Sequence, residues 1–333
     1  MSYAVTLIPG DRIGEEITQA LQQVVEASGV KINWDVQSAG LKAVQTLGSA
    51  LPEATLSSIR KNQVALKGPT TTPVGTGHKS ANVLLRQSLD LYAAVRPVKS
   101  VPGIQTRFDH VDLILVRENT EGLYTGLEVQ VTPDTVVSLK VVTEKASTRI
   151  ARFALELCEK QKRKKITIGH KANIIKLGDG LFLRMAYEQA QKYAQVQTED
   201  CIVDALCMKL VMNPERFDVL LLENLYGDIL SDLCAGLVGG LGLVPGANFG
   251  DKEAVFEAVH GSAPDIAGQN KANPTALIKS AAMMLEYLGE KSAAENIENA
   301  VNKALSHVAS RTADLGGAAT TEIFTHAVIK ALA

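Results

Sequence analysis

Short apolar runs alternate along this chain with longer segments in which apolar residues recur every three or four positions, the pattern of strands interleaved with helices. The runs predict strands at Ala4–Ile8, Ile32–Val36, Val64–Lys67, Leu91–Val95, Val111–Val116, Ile166–His170 and Val219–Glu223. The helical period predicts Glu15–Ala27, Glu53–Lys61, Ala81–Ser88, Lys145–Lys160, Leu181–Ala194, Ile229–Val238, Thr275–Leu288, Ser292–Ala304 and Thr321–Leu332. Such β-α alternation marks an α/β protein. One stretch departs from it: Leu127–Val142 is rich in Val and Thr, carries Pro133–Asp134 at its middle, and predicts an antiparallel hairpin, an arm suited to joining subunits.

Composition narrows the picture. With 333 residues, 46% of them hydrophobic, the chain can bury a large core, and its length favours two domains. A net charge of −2 gives no general attraction to nucleic acid or anionic membrane. Cys158, Cys201, Cys207 and Cys234 lack C-x-x-C spacing and read as reduced thiols in a cytoplasmic protein. No apolar run approaches the roughly twenty residues of a membrane span. A strand follows the start at once, so no targeting segment is expected in this sequence.

The most informative local feature is the pair Asp228 and Asp232, one helical turn apart. Their carboxylates share a helix face among Leu225, Ile229, Leu230 and Leu233, and like charges at that spacing repel. A hard divalent cation such as Mg²⁺ or Mn²⁺ would offset the repulsion. A bare pair of this kind also fits a solvated acidic face. Two glycine-rich places add little alone. The loop Pro9-Gly10-Asp11-Arg12-Ile13-Gly14 offers backbone amides to a phosphate, and Gly236–Gly246 reads as a helix cap and turn. No G-x-G-x-x-G occurs, which disfavours an ordinary Rossmann fold. Ser80, Asn82 and Arg86 share a helix face, while Arg96 and Arg117 end strands. Arginine forks suit a multiply charged acid.

Five segments then decide the reading: Ser80-Ala81-Asn82-Val83-Leu84-Leu85-Arg86, Leu91 to Pro97, Val116-Arg117-Glu118-Asn119-Thr120-Glu121-Gly122-Leu123-Tyr124, Asn224 to Asp232, and His260-Gly261-Ser262-Ala263-Pro264-Asp265. Together they resemble the signature segments of the β-decarboxylating dehydrogenases, the family of isocitrate, isopropylmalate, homoisocitrate and tartrate dehydrogenases. The resemblance runs in order from the Gly10–Asp11 loop to Asp314. It implies a two-domain fold with a mixed sheet and a dimerisation arm at about 122–143. A large cofactor domain would comprise 1–92 and 239–333, and a small domain 93–238.

The same resemblance implies the chemistry. Asp228 and Asp232, with Asp204 of a neighbouring subunit, would bind Mg²⁺ or Mn²⁺. Lys171, also from the neighbour, would take part in removing the substrate's hydroxyl proton, and Tyr124 would reprotonate the enol carbon. Arg86, Arg96 and Arg117 would hold carboxylates. Ser80 and Asn82 would meet the third carboxylate of isocitrate, where isopropylmalate enzymes present apolar residues. Homoisocitrate and 3-isopropylmalate remain the rival substrates, and a noncatalytic regulatory subunit is the alternative of another class. Asp265, Ile266 and Gly317 stand where NADP enzymes of the family carry Lys, Tyr and often Arg, which implies NAD, since a carboxylate repels a 2′-phosphate. The remaining cofactor positions by resemblance are Ile13, Thr71, Thr72, Asn173, Glu257, His260, Gly261, Ala263, Asn273 and Asp314. Because Lys171 and Asp204 are shared, the expected minimum unit is a homodimer.

Overall fold

Hydrophobic runs become strands and amphipathic segments become helices much as their periods require. The structure is a computed structural model describing residues 2–72 and 80–333. In chain order its elements begin with β1 (Ser2–Ile8), α1 (Gly14–Ala27), β2 (Lys31–Val36), α2 (Leu41–Leu47), α3 (Glu53–Asn62), β3 (Val64–Lys67), α4 (Ala81–Ser88), β4 (Ala93–Lys99) and β5 (Asp112–Glu118). The middle of the chain supplies β6 (Glu128–Thr132), β7 (Thr135–Ser138), α5 (Glu144–Lys160), β8 (Lys165–His170), α6 (Gly178–Ala190), β9 (Gln197–Ile202), α7 (Val203–Met212), β10 (Val219–Leu222) and α8 (Asn224–Leu237). The remainder are β11 (Pro245–Phe249), β12 (Ala254–Ala258), α9 (Thr275–Tyr287), α10 (Lys291–Ser306) and α11 (Thr321–Leu332).

Two compact units divide these elements: Met1–Leu89 with Ser100–Arg107 and Val238–Ala333, and Asp90–Lys99 with Phe108–Leu237. The stretch Ser100–Arg107 falls in the first unit rather than in the middle domain as outlined from the sequence. Val101 is buried there, and the Arg311 guanidinium donates to the Gly103 carbonyl at 2.8 Å.

In the first unit the strands run β2-β1-β3-β12-β11, parallel except for the antiparallel pair β11–β12. Ile17, Leu21, Phe256, Leu277, Met284, Ile297, Val301 and Phe324 are buried in one cluster, which joins α1, α9, α10 and α11 to the sheet. In the second unit the order is β4-β5-β10-β8-β9, with β4 antiparallel and the rest parallel. The all-apolar β10, Val-Leu-Leu-Leu, lies buried between β5 and β8, as a doubly covered parallel strand requires. The mixed α/β sheet expected from the sequence is present in both. The hairpin β6–β7 forms with its turn at Pro133–Asp134, and every residue of both strands is exposed.

Five differences from the sequence reading concern the site. α7 and the strands β9, β11 and β12 were not anticipated, and α8 begins at Asn224 instead of Ile229, so Asp228 and Asp232 both lie within it. Among the described residues no helix is long and apolar enough to cross a membrane.

β12 carries Glu257 into the interior of the first unit. Its carboxylate meets Lys67 Nζ at 2.9 Å, Arg86 Nη2 at 3.2 Å and Asn248 Nδ2 at 2.8 Å. Burial alone would raise its pKa, but the Lys67 and Arg86 charges override burial and hold it well below the usual carboxylate range. A depressed folded pKa contributes stability that is present above the unfolded value and is lost as pH falls below it. Glu257→Gln, which strands two buried cations, is therefore expected to lower unfolding free energy by about 3–5 kcal/mol at neutral pH. Urea titrations across pH should show the gap to wild type narrowing under acid conditions. A gap independent of pH would contradict the assignment.

Candidate functional site

α8 presents the acidic pair. Gly227 packs directly under the Arg117 side chain: a Cβ there would sit 2.5 Å from Arg117 Cγ, so only glycine lets the two approach. Arg117 is fully buried at the end of β5, and its Nε and Nη2 donate to Asn224 Oδ1 at 3.0 and 2.7 Å. Its Nη1 donates to Asp228 Oδ1. The Tyr124 hydroxyl donates to Asp228 Oδ2 at 2.5 Å, and the Arg117 guanidinium lies 5.0 Å from the Tyr124 ring centroid. Burial and the Asp228 carboxylate raise the Tyr124 pKa against the opposing Arg117 charge, so the phenol keeps its proton at neutral pH.

Arg96, buried on β4, donates to Ser231 Oγ at 2.8 Å and lies 4.0 Å from Asp232 Oδ1. The side chains of Asp228 and Asp232 are 42% and 60% exposed, so both carboxylates remain reachable from solvent. The loop before Tyr124 is tied down: Glu118 accepts from Thr120 and Glu121 amides, and Asn119 pairs with Leu91 and Tyr92 carbonyls.

Lys171 follows β8, and its Nζ donates to Asp204 Oδ1 on α7 at 2.5 Å. That bond is the main reason the exposed Asp204 carboxyl lies below its ordinary range. Oxygen-only donors with spare lone pairs suit a hard divalent cation, so Asp228 and Asp232 fit part of such a shell. Among the described residues no three His, Cys, Asp or Glu side chains assemble a complete set within one chain.

In the first unit, Ile13, His260, Gly261, Ala263, Ile266, Asn273 and Asp314 line one cavity of about 580 Å³, joined by Gly242, Lys271, Ala272 and Ala313. Seven residues expected at the cofactor thus converge. Asn273 Nδ2 donates to Asp314 Oδ2 at 3.0 Å, and Gly242 leaves these two room. His260 Nδ1 donates to the Gly261 carbonyl, which makes Nε2 a bare acceptor. That Nε2 is buried without a partner among the described residues, and burial lowers the pKa of the ring. An orphaned acceptor at a cavity wall fits a ligand N–H or O–H.

The other expected residues lie apart from that cavity wall. Thr71 Oγ1 pairs with Ser262 Oγ at 2.7 Å, and Thr72 Oγ1 donates to Ser80 Oγ at 3.1 Å. Asn82 accepts from Thr70, while Arg86 is held by Glu257 as described. Asn173 is exposed in the Lys171 loop, in the second unit. Asp265 is exposed in a turn and caps no helix. In the Gly10–Gly14 loop the Asp11, Ile13 and Gly14 amides donate to the Pro69, Ser262 and Asp11 carbonyls. Asn224 and Ser231, which hold the two arginines, were not singled out from the sequence. Their place in the aspartate segment was the available signal.

The family model described as isocitrate/isopropylmalate dehydrogenase matches residues 4–332. An Arabidopsis thaliana protein named isocitrate dehydrogenase [NAD] catalytic subunit 6, mitochondrial, is 53% identical over 97% of this chain and 87% of its own length. An isocitrate/homoisocitrate dehydrogenase of Thermus thermophilus is 51% identical, covering 100% of this chain and 99% of its own. The crystal structure of isocitrate dehydrogenase from Methylococcus capsulatus superposes with a TM-score of 0.96 at 51% identity, over 99% of each chain.

Gly227→Ala tests the Arg117 contact. The added methyl must push Arg117 off Asn224 and Asp228, so calorimetric affinity for a tricarboxylate ligand should fall by roughly tenfold or more while the fold persists. Unchanged affinity would remove Arg117 from the site.

Proposed function

The chain belongs to the isocitrate/isopropylmalate dehydrogenase family, and from that premise we propose that it oxidises isocitrate to 2-oxoglutarate and CO₂ with NAD as hydride acceptor. The observation that carries this reading is the arrangement of Arg117, Asp228 and Tyr124, a buried guanidinium and a protonated phenol on one carboxylate. Arg96 and Arg117 are suited to hold substrate carboxylates. A divalent cation at Asp228 and Asp232, with Asp204 of a second copy, would lower the acidity barrier of the substrate hydroxyl and stabilise charge left as CO₂ departs. Lys171 takes part in removing the hydroxyl proton, and Tyr124 returns a proton to the carbon that loses CO₂.

The substrate's third carbon selects isocitrate because Ser80 and Asn82 offer a hydroxyl and an amide. Facing an alkyl tail they would lose hydrogen bonds worth on the order of 1–3 kcal/mol. For the cofactor, the Asp265 carboxylate makes no ion pair among the described residues, so it is available to a ribose diol. A side chain at Gly317 would collide with the Arg311 carbonyl, which leaves no place for the arginine that would grip a 2′-phosphate.

Exposed apolar residues support a second copy of the chain as partner. Val131, Val136, Ile174, Leu177, Met212 and Ile229 are 54–91% exposed, all within the second unit. A homodimer that covers them would also bring in Lys171 and Asp204 from the neighbour.

Rates measured with Mn²⁺ on isocitrate, homoisocitrate and 3-isopropylmalate, each with NAD⁺ and NADP⁺, are expected to favour isocitrate with NAD⁺ by roughly tenfold or more. Parity with either rival acid would overturn the substrate assignment. An inactive chain that still binds citrate would mark a regulatory subunit. Asp265→Lys combined with Ile266→Tyr should raise the NADP⁺ to NAD⁺ preference, and an unchanged ratio would remove Asp265 from the cofactor site.

A further inference from the structure

Away from the reacting groups, the second unit buries a charged cluster that the mechanism does not use. Lys140 follows the hairpin strand β7, and its side chain is only 13% exposed. It meets Asp179 Oδ1 at 2.5 Å and Glu223 Oε1 at 3.4 Å, and faces the Tyr226 ring 4.4 Å from its centroid. Two nearly inaccessible carboxylates thus share one lysine, an arrangement that is tolerable only if each also finds further donors.

Those further donors lie on the segments that carry the chemistry. Asp179, in the first turn of α6, accepts the Lys171 backbone N–H with Oδ2 at 2.6 Å. Glu223 accepts the amides of Tyr226 at 3.1 Å and Leu225 at 3.4 Å, which otherwise lack partners in the first turn of α8. That helix bears Asp228 and Asp232. One ammonium therefore ties together the base of the hairpin, the peptide from which Lys171 projects, and the start of the acidic helix.

We propose that Lys140, Asp179 and Glu223 act as positioning residues that couple the placement of Lys171 to that of Asp228 and Asp232. This rests on the proposed isocitrate reaction and goes further: Lys171 serves the site of the neighbouring copy while α8 serves its own, so the cluster links the two sites of a dimer through a single chain. The hairpin base joins the same link, which makes seating of the arm on a partner felt at both catalytic segments.

The charge-removing variants Glu223→Gln and Lys140→Gln, made in the full-length protein, test the coupling. The polar partners of Glu223 are Lys140 and the Leu225 and Tyr226 amides, not Lys171, so faster amide hydrogen exchange in the peptide spanning Lys171–Lys176 of Glu223→Gln, by about threefold or more, is the expected sign of transmission through Lys140 and Asp179. Lys140→Gln should loosen that peptide and the start of α8 together. In kinetics, both variants should lower kcat by about tenfold with KM for isocitrate within about threefold, and shift the pH profile of kcat. Exchange that rises only in the altered residue's own segment, or an unchanged kcat and pH profile, would overturn the proposal. If the wild-type chain did not oxidise isocitrate at all, the proposed function would fail, and hydrogen exchange would still decide the coupling.

Discussion

Arg117 has no solvent-exposed surface, and satisfying its guanidinium is the constraint around which the acidic helix is built. A buried guanidinium left without acceptors is strongly destabilising, so Asn224 and Asp228 must stand where its fork points. Gly227 clears the space between them. The same fork that is satisfied by Asp228 sets the carboxylate against the Tyr124 hydroxyl, so the acid, its counter-charge and a proton donor are placed by one contact set.

The first unit solves a similar problem with the opposite sign. Glu257 is held ionised by Lys67 and Arg86, and that arrangement fixes α4, which carries Ser80 and Asn82. Arg86, expected at the substrate, has its Nη2 engaged with a carboxylate 171 residues away. His260 differs again: its acceptor nitrogen is buried with no partner among the described residues, so the cavity wall carries a polar demand that those residues do not meet.

Legibility in the sequence followed the length and contrast of each pattern. α3, α4, α5 and α11 were readable to within a residue because their apolar stripes are long or sharply bounded. β12 was not, because Glu257 within it contradicts a buried strand unless Lys67 and Arg86 are known to lie beside it. β11 begins Pro-Gly, which locally spells a turn, and becomes a strand through pairing with β12. β9 reads Gln-Thr-Glu-Asp-Cys-Ile, too polar for a core strand, as suits its place at the edge of its unit. At the site, the aspartates, arginines and tyrosine stood out through their motifs. Asn224, Ser231 and the Lys140 cluster did not, because their roles arise from pairings across 39 to 135 residues of chain that no local spacing encodes.

The central claim is that one chain supplies the carboxylate pair and its arginines while another supplies the lysine and third aspartate. Co-refolding an Asp228→Asn chain with a Lys171→Met chain tests it most directly. Each variant alone should be inactive, whereas an equal mixture should regain about a quarter of wild-type activity, since half the dimers are hybrids with one intact site. A mixture as inactive as its parents would contradict the shared site.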